Sequence, residues 1–383
     1  MNVLITGGAG FIGSHTADAL IQKGCQVRIL DNLQRTVHPQ GKPDYLNPNA
    51  DFIMGDVRDK QILRQALSGV DAVYHLAAYQ DYLPDFSTFF HVNTVSTALL
   101  YEILVEDGLE NSIQKVVVAS SQAVMGEGRY RCIKCEEQDG AYVHPDIRLE
   151  AQLKTGEWEH RCPVCSETLQ WLPSDETVAH PCNQYALSKY SQEQIAIQMG
   201  KRYGIPSVVM RYSIVQGPRQ SVYNAYSGAM RIFSLALMFD RQPVIFEDGR
   251  QIRDFINIED VVAANLLVLE REEADYQVFN AGGGVPWAVN DFYEKLQTVV
   301  GKRKTPSIGN YYRYGDTRHI VSDIGKLKRL GWVPKCDIEK SIQDYWTYLR
   351  QADRKEEIFD YAQKNMRKLN VIRKIKDSNS GGI

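Results

Sequence analysis

The opening thirty-one residues constrain this chain more than any other stretch. Val3-Leu4-Ile5-Thr6 is a short apolar run of the kind that fills a buried strand. It leads into Gly7-Gly8-Ala9-Gly10-Phe11-Ile12-Gly13, which opens a helix predicted to reach about Lys23. A second strand, Gln26-Val27-Arg28-Ile29-Leu30, ends at Asp31. A glycine loop alone says no more than a tight turn. In the order strand, glycine loop, helix, strand, acid, it is the fingerprint of dinucleotide binding. Glycines 7, 10 and 13 let the backbone approach a pyrophosphate, and the helix N-terminus offers it free N–H groups. Asp31 would accept hydrogen bonds from the adenosine ribose. Its carboxylate also repels a 2′-phosphate, so NAD is expected rather than NADP.

The rest of the chain continues the rhythm. Asp51 to Asp56 reads as a third strand, with Asp56 positioned for the adenine amino group, and Ala72 to Ala78 as a fourth. His75 near its end reads as a packed histidine rather than a base. A long helix over 86–106 carries Asn93, a residue that disfavours helix interiors and is expected to be there for a hydrogen bond. Residues 115–119 form a fifth strand, 183–203 a helix and 207–212 a sixth strand. This alternation predicts an α/β fold, a doubly wound parallel sheet of the Rossmann type. Beyond the Gly217-Pro218 turn it becomes irregular, which predicts a smaller α/β substrate lobe closing over the cofactor's reactive end. The expected units are 1–126 plus 180–212 for NAD and an insertion at 127–179. A lobe at 213–365, which could return a strand or helix to the core, and a fraying tail at 366–383 complete the chain.

Composition excludes some classes. A net charge of −3 offers no excess of cations to a nucleic acid. No apolar run approaches the roughly 18 residues of a membrane span. The N-terminus enters a strand without the basic and apolar regions of a signal peptide, so a cytoplasmic protein is expected. The seven cysteines, four of them in CxxC pairs, fit thiols or thiolate–metal bonds better than disulfides.

The chemistry concentrates between Ser120-Ser121, at the end of the fifth strand, and Tyr185-Ala186-Leu187-Ser188-Lys189. A Tyr and a Lys four apart share one helix face, so the ammonium can stabilise a phenolate. Free tyrosine titrates near 10, too high for a base at neutral pH. Lowering it by about three units takes roughly 4 kcal/mol, within reach of Lys189 and a cationic nicotinamide in a sheltered site.

In combination, Gly7-x-x-Gly10-x-x-Gly13, Gly55-Asp56-Val57, His75-Leu76-Ala77-Ala78, Asn93, Ser120-Ser121, Tyr185-x-x-x-Lys189, Arg253-Asp254-Phe255-Ile256 and Gly315-Asp316-x-Arg318 give the chain a family likeness. Over residues 1–126 and 180–345 it resembles the extended short-chain dehydrogenase/reductase family, in its nucleotide-sugar epimerase and dehydratase branch. The resemblance implies catalysis by Ser121, Tyr185 and Lys189. It implies NAD contacts from Gly7, Gly10, Phe11, Ile12, Gly13, Asp31, Asn32, Asp56, Val57, Leu76, Ala77, Ala78, Asn93, Ser120, Tyr185 and Lys189. It implies a nucleoside-diphosphate sugar held by Ser121, Gln122, Tyr185, Arg253, Arg313 and Asp316, the two arginines on its diphosphate, and a homodimer built on the two long helices.

Family dehydratases carry an Asp-Glu pair after the hydroxyl residue; here those positions are Gln122 and Ala123, unable to exchange a proton. The remaining cycle is oxidation at C4, rotation of the keto sugar and return of the hydride, a 4-epimerase. Two departures stand out: Ile214-Val215-Gln216-Gly217 replaces the family's Asn-Val-Tyr-Gly, and Met125 replaces a Tyr.

Ser121 and Tyr185 are unusually far apart for this family, and the excess contains Cys132-x-x-Cys135 and Cys162-x-x-Cys165. Two such knuckles complete a tetrahedral thiolate site, a zinc ribbon holding structural Zn2+ rather than redox thiols. The ribbon resembles that of bacterial dTDP-L-rhamnose 4-epimerases, so the dTDP-L-rhamnose/6-deoxy-L-talose pair is the favoured substrate. Other outcomes are a decarboxylase or dehydratase of the same family, or a non-catalytic NAD sensor whose ribbon docks a partner.

Overall fold

The computed structural model describes residues 1–81, 83–135, 142–222, 228–351 and 371–375. Seven parallel strands form the central sheet. They are β1 (Asn2–Thr6), β2 (Gln26–Asp31), β3 (Asp51–Met54), β4 (Ala72–His75), β5 (Lys115–Ser121), β6 (Ser207–Tyr212) and β7 (Gln277–Ala281). Their order is β7-β6-β5-β4-β1-β2-β3. Chain direction across the sheet reverses between β1 and β4. There the loops beyond the strand ends diverge and leave a crevice, the usual ligand position in such sheets.

Helices cover both faces, so the inner strands are buried throughout and read as continuous apolar runs. One face packs on the helices Phe11–Gln22 and Ile258–Glu270 through Ala17, Leu20, Val261 and Val268. The other packs on Lys60–Leu67, Ser96–Glu106 and Gln184–Tyr203 through Leu63, Leu100, Leu104 and Ala196. Each fully buried aliphatic side chain contributes roughly 1.5–3 kcal/mol. The second region therefore returns both a helix and the edge strand β7 to the first. The rest of it has its own core, where Phe233, Phe255, Phe292 and Tyr345 meet.

The helix expected over 86–106 is three segments in line. Phe86–Phe89 and Ser96–Glu106 are α-helical, and Phe90–Val95 between them is a π-helical turn. The widened turn aims Asn93 into the core. There its amide accepts from Tyr79 N at 2.8 Å and donates to Tyr79 O and Ser188 Oγ at 3.1 and 2.9 Å.

The insertion begins and ends as a pair of antiparallel strands, Arg129–Arg131 against Gln170–Leu172. Its own core is small: Tyr130, Leu169 and the cysteines. A segment so poor in apolar contacts needs a further constraint to hold its shape. The tail expected to fray lies outside the described residues except at 371–375, where Ile372–Lys374 pairs antiparallel with Tyr311–Arg313, setting Ile372 opposite Arg313. Arg373 forms an ion pair with Glu150 and stacks on Tyr314. Basic residues that read as solvated in sequence thus have partners brought from far along the chain.

Candidate active site

Ser120 and Ser121 end β5, and Asn183 caps the helix Gln184–Tyr203 by accepting from Ala186 N at 2.8 Å. The cap fixes the helix start, which puts Tyr185 in the first turn and Lys189 one turn later. Ser121 hydrogen-bonds Tyr185. Lys189 Nζ donates to Ala119 O at 2.7 Å and to Gln192 Oε1 at 2.9 Å. Burial pushes the Tyr185 phenol up to about 12, against the Ser121 bond that lowers it. Burial brings Lys189 down to about 7, and the negative Glu193 opposes that. Glu193 is itself clamped by Arg211 at 2.8 and 2.7 Å and by Ser120 Oγ. The unliganded pair thus favours a neutral phenol, and further positive charge is needed to make Tyr185 a base.

A cavity of about 790 Å³ runs through this centre. It brings together Gly7, Gly10, Phe11, Ile12, Gly13, Leu76 and Ala78 on one side with Ser120, Ser121, Gln122, Tyr185 and Lys189 on the other. Arg253, Arg313 and Asp316 line it as well. In the glycine loop, a Cβ on Gly13 would stand 2.4 Å from Gly7 O, so only glycine lets the helix and loop close up. Gly10 precedes the helix Phe11–Gln22 with no side-chain cap, leaving that N-terminus to an anion. These residues fit a dinucleotide pyrophosphate.

Asp31 ends β2 and receives Ala9 N at 3.0 Å and Leu33 N at 2.8 Å, one on each oxygen. Each oxygen keeps a lone pair for a ribose hydroxyl. Asn32 donates to Asp56 at 2.9 Å. Asp56 is also gripped by Arg58, whose hydrogen bonds outweigh partial burial and hold the carboxyl at about 2. Three residues expected to contact the cofactor stand behind the cavity lining. The Asn93 amide is buried and bonded internally, so it positions Tyr79 and Ser188 and does not line the cavity. Val57 packs in the core, and Ala77 sits behind the loop with its N–H on Thr6 Oγ1 at 3.3 Å. His75 is fully buried between Thr6 and Ser96 and held neutral near 3 by burial and by Lys189, as its reading as a packed histidine requires.

Asp316 bridges both arginines, 3.2 Å from Arg253 and 3.0 Å from Arg313. Burial raises its pKa, but Arg313 and Arg253 outweigh that and keep it ionised. Gln122 lines the cavity, and its Oε1 makes no hydrogen bond among the described residues. Ile214 and Val215 line it too, while Gln216 is turned inward and fully buried. Met125 packs with Val178 and Ile320, so that departure changes packing alone.

Several lining residues escaped sequence reasoning. The loop 37–45 crosses the groove, with Tyr45 beneath the Arg219 guanidinium, 5.1 Å from the ring centre, and Val37 O bonded by Ser221. Its Gly41-Lys42-Pro43 turn was the available signal. Glu127 and Ile147 bring the insertion's own residues to the cavity wall.

The insertion is joined to the second lobe by buried charge. Arg148 meets Glu247 at 2.9 and 2.8 Å, and Glu247 also receives Arg318 at 3.0 Å. Arg318 continues to Glu159 and Asp248. Glu159 accepts from His319 as well, and together these partners overcome burial to hold its carboxyl at about 2. In the insertion, the four sulfurs of Cys132, Cys135, Cys162 and Cys165 lie within 4.8 Å of one another. Tetrahedral zinc with 2.3 Å bonds would separate them by roughly 3.8 Å. N–H groups of Cys165 and Val164 aimed at Cys162 lower its thiol to about 6, toward the thiolate a metal needs.

A family model described as the NAD dependent epimerase/dehydratase family matches residues 3–145 and 166–282. The gap in the match falls inside the cysteine insertion. A dTDP-L-rhamnose 4-epimerase of Burkholderia thailandensis is 30% identical over 363 residues, covering 92% of this chain and 96% of that protein. The UDP-glucose 4-epimerase of Thermotoga maritima, solved with UDP-glucose, superposes with a TM-score of 0.74 at 30% identity, covering 92% and 99% of the two chains. The UDP-glucuronic acid 4-epimerase of Bacillus cereus, solved with UDP-glucuronic acid and NAD, gives 0.72 at 25% identity and the same coverage. With its glycine loop, its Ser-Tyr-Lys centre and its two-lobed cleft in the family's arrangement, this chain belongs to the NAD dependent epimerase/dehydratase family.

Proposed function

We propose that this enzyme inverts C4 of a nucleoside-diphosphate sugar, with NAD bound along the glycine loop. The observation that carries the reading is the pairing of Ser121, Tyr185 and Lys189 with Gln122 and Ala123 beside them. The first three can move a hydroxyl proton, and the next two supply no acid or base for eliminating water. The cofactor, when bound, supplies the hydride acceptor and donor and adds positive charge near the tyrosine. Tyr185 then takes the C4 hydroxyl proton, Ser121 holds the same oxygen, and Lys189 steadies the phenolate. The 4-keto sugar turns in the cavity to present its other face for return of the hydride to C4, and Tyr185 gives the proton back to the C4 oxygen. Arg253 and Arg313 hold the diphosphate, exchanging Asp316 for phosphate oxygens.

The favoured substrate pair is dTDP-L-rhamnose and its talose epimer, supported by the relative from Burkholderia thailandensis, which aligns along most of this chain. Zinc in the four-cysteine site, a homodimer and a cytoplasmic location complete the proposal. Sulfur spacing supports the metal. Phe86, Val95 and Leu187, apolar and exposed on the two long helices, support the dimer. Among the described residues no helix is long and apolar enough to cross a membrane.

The test is NMR of dTDP-, UDP- and GDP-sugars incubated with the enzyme and NAD. A C4 epimer should form from at least one, and Tyr185→Phe should cost on the order of 10²–10⁴ in kcat while leaving the fold intact. No change in any sugar would refute the proposal. A Tyr185→Phe protein that retains its function in cells would point instead to a sensor.

A further inference from the structure

Glu127 follows Gly126 at the point where the chain leaves β5 for the cysteine insertion. Its side chain is 2% exposed and lines the same cavity as Tyr185. Both of its hydrogen bonds fall on one oxygen: His160 Nε2 lies 3.0 Å from Oε2, and Arg318 N donates to Oε2 at 2.8 Å. Oε1 makes no hydrogen bond among the described residues. Glu127 is thus an ionisable group held rigidly on one side and open on the other.

It shares the wall with Ser121, Gln122, Ile147, Cys182 and Tyr185, while Arg253 and Arg313 are drawn onto Asp316. The two groups meet at Arg318, whose N–H bonds Glu127 and whose carbonyl accepts from Arg253 at 3.1 Å. A carboxylate would repel a diphosphate and suits a sugar hydroxyl. We infer that Glu127 is the specificity-determining residue of the sugar pocket: Oε1 accepts a hydroxyl hydrogen bond from a neutral hexose and turns away a uronic acid. A uronate would bring a second carboxylate up to Glu127 while Arg253 and Arg313 are taken up by the diphosphate, and like charges at close range disfavour binding. The group that fixes Glu127 is His160, two residues from Cys162, so the insertion sets the sugar preference through one side chain. This inference rests on the proposed sugar-nucleotide chemistry and names the class of sugar it takes.

The test measures binding of UDP, UDP-glucose, dTDP-L-rhamnose and UDP-glucuronic acid to NAD-loaded enzyme by calorimetry, in wild type and Glu127→Gln. A glutamine can keep its carbonyl toward Arg318 N and present an amide to the cavity, which changes an acceptor into a donor and removes the charge. UDP affinity should stay within about twofold, because the diphosphate is held by Arg253 and Arg313 rather than by Glu127. UDP-glucose should weaken about 10- to 100-fold, the ordinary value of a hydrogen bond to a charged group. UDP-glucuronic acid should strengthen, so the preference for the neutral sugar collapses. If the glutamine variant does not fold, Glu127→Asp replaces it: charge is retained, reach is lost, and the uronate should still be rejected while UDP-glucose weakens.

An unchanged ratio of UDP-glucose to UDP-glucuronic acid, or an equal loss for all four ligands, would overturn the inference and leave Glu127 a prop for the Arg318 loop. Turnover in the NMR panel is read separately. An intact epimerase with an unmoved ratio sinks this inference alone, and an inert protein with a shifted ratio sinks the epimerase reading alone.

Discussion

Arg148→Met tests whether buried charge fastens the insertion to the second lobe. The Arg148 side chain is 1% exposed and that of Glu247 2%. The guanidinium makes two bonds to Glu247, one to Trp158 O at 3.1 Å and one to Asp316 O at 2.7 Å. Methionine keeps most of the apolar stem, so the loss isolates the charged head. Removing one partner of a buried ion pair costs about 3–5 kcal/mol. Glu247 would keep Arg318 at 3.0 Å, which places the loss at the lower end, about 3 kcal/mol. In a chain of this size that is a drop of roughly 6 °C in melting temperature, at about 2 °C per kcal/mol. Scanning calorimetry would read it. Adding Glu247→Gln should cost much less than it does alone, giving a coupling of about 2 kcal/mol in a double-mutant cycle. Because one lost bond goes to Asp316, which pairs with Arg253 and Arg313, KM for the nucleotide sugar should rise while NAD affinity holds. A single variant within about 0.5 kcal/mol of wild type, or strictly additive losses, would refute the reasoning.

Three further outcomes follow from the site. Gly13→Ala forces a Cβ to 2.4 Å from Gly7 O and should cost about 1–3 kcal/mol of NAD binding, read by cofactor titration; unaltered affinity would mean the loop can shift freely. Lys189 titrates at about 7 when folded against 10.5 for a free lysine, so the unfolded chain binds more protons between those values and stability rises with pH there. Relative to Lys189→Met, wild type should gain about 1.4 kcal/mol per pH unit between pH about 7 and about 9 in denaturant melts, and parallel curves would contradict it. Removing zinc with a chelator, or Cys162→Ser, should expose residues 127–179 to hydrogen exchange while β1 to β6 stay protected; equal protection with and without metal would show the ribbon to be self-sufficient.

What the sequence revealed and what it hid divide along physical lines. The first domain was legible because its signals are local. Strand apolarity, glycine spacing and the Tyr185–Lys189 interval all act within one or two elements. The cysteine pairs were legible because each knuckle is a short-range object. The neighbours of Glu247 were not, because Arg148 and Arg318 come from 99 and 71 residues away and any surface helix carries similar charges. Asn93 shows the intermediate case. Its misfit with helix interior was readable, but the π-turn that redirects it to Tyr79 depends on packing against a helix nearly a hundred residues later. The short strand Ile372–Lys374 was hidden for the same reason, since its partner at Tyr311–Arg313 lies far upstream.

The paired strands at the base of the insertion bear on how such a protein could arise. Arg129–Arg131 and Gln170–Leu172 run side by side, so the segment leaves the parent fold and returns to it at nearly one point. A genetic graft there would have required no rearrangement of the sheet. The inserted segment also partners Glu247 and Arg318, charges rooted in the second lobe. Excising the cassette and rejoining its ends would be geometrically simple, but it would leave Glu247 and Arg318 only each other and Asp248, without Arg148 and Glu159. Shortening this enzyme would therefore require redesigning the receiving surface first, because the lobe and the insertion share one buried charge network.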